Sequence, residues 1–251
     1  MGKKLILVLV TIIATVAAFI PSTKSSCSKS GSTVCASETD ATDISDISNK
    51  TEEFDFKDVP EYNDSPYVII NGDQPYFKES DYNILRDYGE LDDLGRTTRS
   101  IATVSKETVT TEDRSDIGFI KPSGWVQKKY EGVVDSAPPY LLNRSHLILY
   151  YLQGNCSNVI ENLISATRYC NYNGFLPNEK EIINYVMNSD NHVLIRATPY
   201  YKDDELMCRG ILYEAESIED NGKSLHMCRW IYNVQPGVVI DYSTGDSHLE
   251  E

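Results

Sequence analysis

Residues 140–179 read YLLNRSHLILYYLQGNCSNVIENLISATRYCNYNGFLPNE. The apolar run at the start of this stretch is interrupted by Asn143-Arg144-Ser145-His146, which sets an arginine two residues before a histidine in core-forming sequence. Farther on, Asn171 and Glu179 supply a neutral and an anionic oxygen. Together these groups suit a single phosphate. Imidazole titrates near neutral pH, guanidinium matches two phosphoryl oxygens at once, and amide and carboxylate oxygens suit a hard cation. The stretch predicts a strand within 141–152 that carries His146 at an exposed bend. Apolar residues at 159, 160, 163, 164 and 170 predict a helix over 158–172. A second helix over 179–187 follows the Pro177-Asn178 start signal. Asn171 then falls near the C-terminal end of the first helix, where asparagine can also serve as a left-handed cap.

Outward from this stretch, most elements read as strands. Residues 192–200 alternate in polarity, and 206–215 and 225–234 flank Asp220-Asn221-Gly222-Lys223, an Asn-Gly hairpin turn. On the other side, 67–70 is a short strand ended by Asn71-Gly72-Asp73. Residues 87–97 are too charged for a core element and read as a surface loop. In 116–125, Ile117 and Phe119 predict a strand that breaks at Pro122 and Gly124, with Trp125 packed behind it. Several antiparallel strands with two helices give an α+β fold with a mixed, mainly antiparallel sheet.

The chain has 251 residues, enough for one domain plus appendages. It opens with Met1-Gly2-Lys3-Lys4 and an apolar run over 5–20, the pattern of a secretory signal. That run is short of the roughly 20 residues a spanning helix needs. Residues 1–26 therefore read as a signal peptide, with an N-terminal membrane tether through 5–20 as the alternative. Residues 27–58, rich in Ser, Thr, Asp and Glu, read as an acidic solvated linker, and 59–251 as the folded domain. The net charge is −15, and 17 acidic residues face 4 basic ones within 36–93. Such a balance argues against tight non-specific retention of nucleic acid, though not against an enzyme that must release its product. Cys156, Cys170, Cys208 and Cys228 allow three disulfide pairings or small buried thiols. No C-x-x-C pair marks a structural zinc site, and no Walker loop, H-E-x-x-H or dinucleotide fingerprint is present.

Seven blocks stand in order along the chain: DYGELDDLGRT (87–97), DIGFIKPSGW (116–125), NRSHLI (143–148), ENLISATRYCN (161–171), GFLPNE (174–179), NHVLIRATPYY (191–201) and NVQPGVVIDYSTGDS (233–247). Together they resemble the DNA/RNA non-specific endonucleases of the ββα-metal, or His-Me finger, class, nearest to DNA-entry nucleases and streptodornase-like secreted DNases. The resemblance implies an exported Mg²⁺-dependent endonuclease, with Mn²⁺ as the alternative ion. It would cut DNA, with RNA as a second substrate, and leave 5′-phosphates. It implies His146 as general base, Asn171 as metal ligand, Glu179 as the group that orders water around the ion, and Asn162 as a hydrogen-bonding partner near those waters. Arg144 is the expected phosphate clamp, and Arg168 the helix anchor. The chain departs from the family's D-R-G-H at Asn143 and Ser145, and from its H-L-I-G-[YF]-Q at Leu149-Tyr150-Tyr151. A nuclease-like nucleic-acid-binding protein with weakened turnover is the rival reading, and a disulfide-stapled interaction domain the third.

Overall fold

The computed structural model describes residues 54–251, so the expected leader and residues 27–53 of the expected linker lie outside the described residues. The scaffold is a six-stranded antiparallel sheet. It comprises β1 (Tyr67–Ile69), β2 (Arg86–Tyr88), β3 (Ser100–Val104), β6 (Val193–Tyr200), β7 (Gly210–Ser217) and β8 (His226–Tyr232), in the order β1-β8-β7-β6-β3-β2. Between β3 and β6 the chain makes a separate antiparallel pair, β4 (Leu142–His146) with β5 (Leu163–Thr167), joined through a one-turn helix α1 (Tyr150–Gln153). Next come a π-helical turn (Cys170–Phe175) and α2 (Leu176–Asn188), and β9 (Val238–Asp241) with β10 (Asp246–Leu249) closes the fold as a hairpin. Among the described residues no helix is long and apolar enough to cross a membrane.

The sheet is covered on both faces. On one, Val193, Ile195 and Ala197 of β6 and Tyr213 of β7 join a core with Phe175, Ile182 and Val186 of the helix. On the other, Trp230 and Leu212 form a cluster packed by Phe54, Phe56, Tyr62 and Tyr76, and Leu194 packs with Phe77 and Ile101. Phe54 stacks on Trp230 with centroids 5.8 Å apart, and Phe56 on Tyr200 at 4.0 Å. Ordered packing therefore begins before Val59, and the last residues assigned to the linker are part of the cover. Because β7 has neighbours above and below, six of its eight residues in succession are buried, the run expected of a strand with two covered faces. The β7–β8 turn has Asn221 at φ 54° and Gly222 at φ 74°, the left-handed pair an Asn-Gly hairpin turn requires.

Two local expectations are overturned. The helix expected over 158–172 is instead a short turn at Ile160–Asn162 followed by β5, all five of whose residues are buried. A strand buried on both faces shows a continuous apolar run, which spacing alone does not separate from a buried helix. The helix begins only after β5, so Asn171 lies near its start rather than its C-terminal end. Residues 116–125 form no strand: they are a loop, with Phe119 78% exposed at its tip. Of the two readings left open for the cysteines, small buried thiols hold for Cys170, Cys208 and Cys228, while Cys156 is disulfide-bonded.

Candidate active site

The β4–β5–α2 unit is fastened to the scaffold by polar pins. Buried Asn233, just past β8, accepts from Thr167 N (2.9 Å) and donates to the carbonyls of Ser165 (3.1 Å) and Cys208 (3.0 Å). Buried Asn178 of α2 donates to Gly174 O (2.6 Å) inside the π turn and accepts from Arg229 of β8 (2.5 Å). The turn itself lies hard on the sheet: a Cβ at Gly174 would fall 2.4 Å from Ile231 Cγ2. Its extra residue also sets helical phase. Asn171 and Glu179 are eight positions apart, which a regular α-helix would separate by ~80° around its axis, whereas one additional residue in the turn brings them within ~20°. Both therefore line a cleft of about 1120 Å³, together with His146, Arg114, Arg144 and Arg168.

His146 ends β4 and is 6% exposed. Its Nε2 lies 2.8 Å from Asn158 Oδ1. The Asn158 amide nitrogen donates to Ser115 Oγ (3.0 Å) and Asn155 Oδ1 (2.9 Å), which turns its oxygen toward the ring. Nε2 must then carry the proton, and Nδ1 keeps its lone pair. Arg114 Nη2 stands 3.4 Å from that Nδ1. Burial pushes the imidazole down to about 4, opposed by the bond to Asn158 and reinforced by the Arg114 charge. The histidine is thus neutral well below pH 7 rather than balanced at it. Its support comes from Asn158, since no hydrogen bond joins Asn143 to His146.

Ser145, where relatives carry glycine, donates to Asn171 Oδ1 at 2.7 Å and orients that amide from the residue beside the histidine. The oxygen retains a second lone pair toward the cleft. Glu179 is buried, and among the described residues no hydrogen bond or ion pair reaches its carboxyl, so burial raises it to about 8. The Tyr213 hydroxyl is buried without a partner, and after burial itself the charge of Glu179 is what raises its pKa further. A neutral amide oxygen and a carboxyl that lacks any counter-cation form the kind of oxygen set a hard divalent ion takes, most of its shell being water. The residues present fit such an ion.

Two expected site residues have other duties. Asn162 is fully buried and bonded on both sides to backbone: its Oδ1 accepts from Ile148 N (2.9 Å), and its Nδ2 donates to Ile148 O (2.9 Å) and Ser157 O (3.1 Å). It shapes the β4–β5 connection and does not line the cleft. Arg144 reaches the cleft, but its guanidinium donates to the carbonyls of Gly118 (2.6 Å) and Ile120 and lies 4.1 Å from the Trp125 ring centroid. It fixes the 118–120 loop as a wall. Arg168, expected only as an anchor, lines the cleft, as does Arg114, a lone cation in the acidic TEDRSD segment that carries no sequence signal.

A family model described as DNA/RNA non-specific endonuclease matches residues 78–219, more than half of the chain, and the chain belongs to that family. It is a hydrolase that cuts nucleic acid internally. Among solved structures it is similar to NucA from Streptococcus agalactiae with magnesium ion bound, at 23% identity and a TM-score of 0.61, over 72% of this chain and 86% of that one. It is likewise similar to Sda1 nuclease with bound zinc ion, at 24% identity and a TM-score of 0.54, over 66% of this chain and 80% of that one. No curated protein sequence matches. The two structural likenesses establish the shared fold.

Proposed function

We propose that this chain is an exported, Mg²⁺-dependent endonuclease that hydrolyses DNA, and RNA by the same chemistry, to products with 5′-phosphates. The observation that carries the reading is the setting of His146: Asn158 engages its Nε2 and Arg114 stands beside its Nδ1, in an arginine-lined cleft shared with Asn171 and Glu179. Magnesium in the NucA structure and an extracellular endonuclease among the structural neighbours, with a TM-score of 0.50, support the ion and the destination. Export would use residues 1–26, with a tether through 5–20 as the alternative.

Asn171 Oδ1 would hold the ion directly, and Glu179 would order the water around it. When bound, the ion neutralises charge on the phosphate and stabilises the departing oxygen. Arg114 and Arg168, both lining the cleft, bind the phosphates, and Arg144 keeps the 118–120 loop in place. As phosphate draws Arg114 away, His146 Nδ1 becomes free to take a proton from the attacking water. Asn158 holds the ring so that Nδ1 alone faces the cleft. A His146→Gly variant should lose at least about 10² to 10⁴ in plasmid cleavage, and added imidazole should restore part of it. Cleavage by the parent should cease in chelator. An unimpaired glycine variant would remove His146 from the reaction.

A further inference from the structure

Each of three rings that line the cleft has a cation against it. Arg168 Cζ lies 3.1 Å from the Tyr172 centroid, Arg144 Cζ 4.1 Å from that of Trp125, and Lys129 Nζ 4.9 Å from that of Tyr140. Trp125, Tyr140 and Tyr172 all line the cleft. Tyr140 and Tyr172 are 41% and 45% exposed. Phe119 stands beside Gly118, another lining residue, on the loop that Arg144 holds.

Trp125 packs partly on the core beneath, but burial does not explain Phe119, Tyr140 or Tyr172. Large exposed aromatics gathered at one place mark a binding surface, and here the cations held against Tyr140 and Tyr172 limit each ring's movement. A cation covers one face of such a ring, and the exposed side is left for a second flat partner. Phosphate charge suits the arginines and a nucleobase suits the rings, which is the pairing used to grip single strands. In a duplex every base face is covered by its neighbours, so a paired base has nothing to offer these rings.

We propose that the cleft takes unpaired nucleotides, with bases stacked on Phe119, Tyr140 and Tyr172 while the arginines hold the phosphates, so that single-stranded nucleic acid is the preferred substrate. This rests on the nuclease reading above. The test uses the full chain and one fluorescent oligodeoxynucleotide, free or annealed to its complement, measured both for cleavage with Mg²⁺ and for binding by anisotropy in chelator. The single strand should be cut with a kcat/KM at least tenfold above the duplex and should bind more tightly. Stacking contributes about 1–3 kcal/mol per base, so Phe119→Ala and Tyr172→Ala should each lose roughly 5- to 150-fold in kcat/KM on the single strand, mainly through KM. For Phe119→Ala the duplex value should move less than twofold, and Phe119→Trp should retain the parent's preference. Equal kcat/KM and equal affinity for the two forms would overturn the inference, as would alanine variants that lose as much on the duplex as on the single strand. A parent that cuts neither form yet binds the single strand more tightly would sink the nuclease reading and leave this one standing.

Discussion

The six-stranded sheet and the β4–β5–α2 unit are held by different forces. In the sheet, Trp230, Tyr213 and Ile195 are buried among apolar neighbours, a non-directional stabilisation that tolerates other side chains of similar volume. The site unit depends on four asparagines: Asn158 and Asn162 within it, Asn178 between helix and sheet, and Asn233 from the sheet. Each fixes distance and direction, and loss of one leaves partners unpaired at about 1–3 kcal/mol apiece. Stability thus resides mainly in one region and geometry in the other.

The sharpest way to break this comparison is Trp230→Ala. It removes the ring against which Phe54, Phe56 and Tyr200 pack, and should cost about 3–5 kcal/mol in urea unfolding. Cleavage per folded molecule should stay within about twofold, as the scaffold's share of catalysis implies. A tenfold loss of turnover in the folded fraction would show that the regions are not separable.

The pH response comes next. The folded pKa of His146 is lowered to about 4 from 6.5, so the unfolded chain takes up the proton first. Full stability from this group is present above pH 6.5 and is lost as pH falls toward 4, by about 3 kcal/mol in all. His146→Asn should flatten the urea midpoint over that window. The acid limb of cleavage, which needs the neutral ring, should lie nearer 4 than 6.5, and a limb at 6.5 or above would mean that substrate or ion rewrites the environment of the ring.

Asn171→Ala should reverse the Trp230 result. Metal-dependent cleavage should fall by about a hundredfold while the unfolding midpoint in chelator barely moves; full activity at limiting Mg²⁺ would leave Asn171 a structural residue. The smallest effect belongs to the N-terminal cover. A chain starting at Val59 should be less stable by about 1–3 kcal/mol than one starting at Phe54, since the packed rings of Phe54 and Phe56 are lost, with turnover of the folded protein preserved. Equal midpoints would place the domain boundary at Val59.

Much of the scaffold was legible because its signals are local. β6 shows alternation, and Asn221-Gly222 declares the β7–β8 turn with two residues. His146, Asn171 and Glu179, which the fold brings to one cleft, were singled out through the resemblance of NRSHLI, TRYCN and GFLPNE to family blocks. β5 was not, because LISAT is buried on both faces and its spacing matches a helix equally well. Arg114 was invisible for another reason: its meaning lies in reaching His146 across 32 positions. Asn233 reaches Thr167 across 66. Asn162 attracted a site role by its place in a family block, whereas its three bonds show that it serves the backbone.

The π turn also bears on how this site would be found in other chains. Its surplus residue lengthens the sequence between Asn171 and Glu179 without moving one side chain away from the other, so the ordinary helical ruler misjudges the pair. A helix one residue shorter and regular throughout would present the same two groups at nearly the same angle, within ~20°. A pattern search keyed to Asn-x7-Glu, the spacing here, would pass over such a chain, and an alignment that placed its gap outside Cys170–Phe175 would pair the wrong residues. Spacing and helix type have to be read together before either identifies the pair.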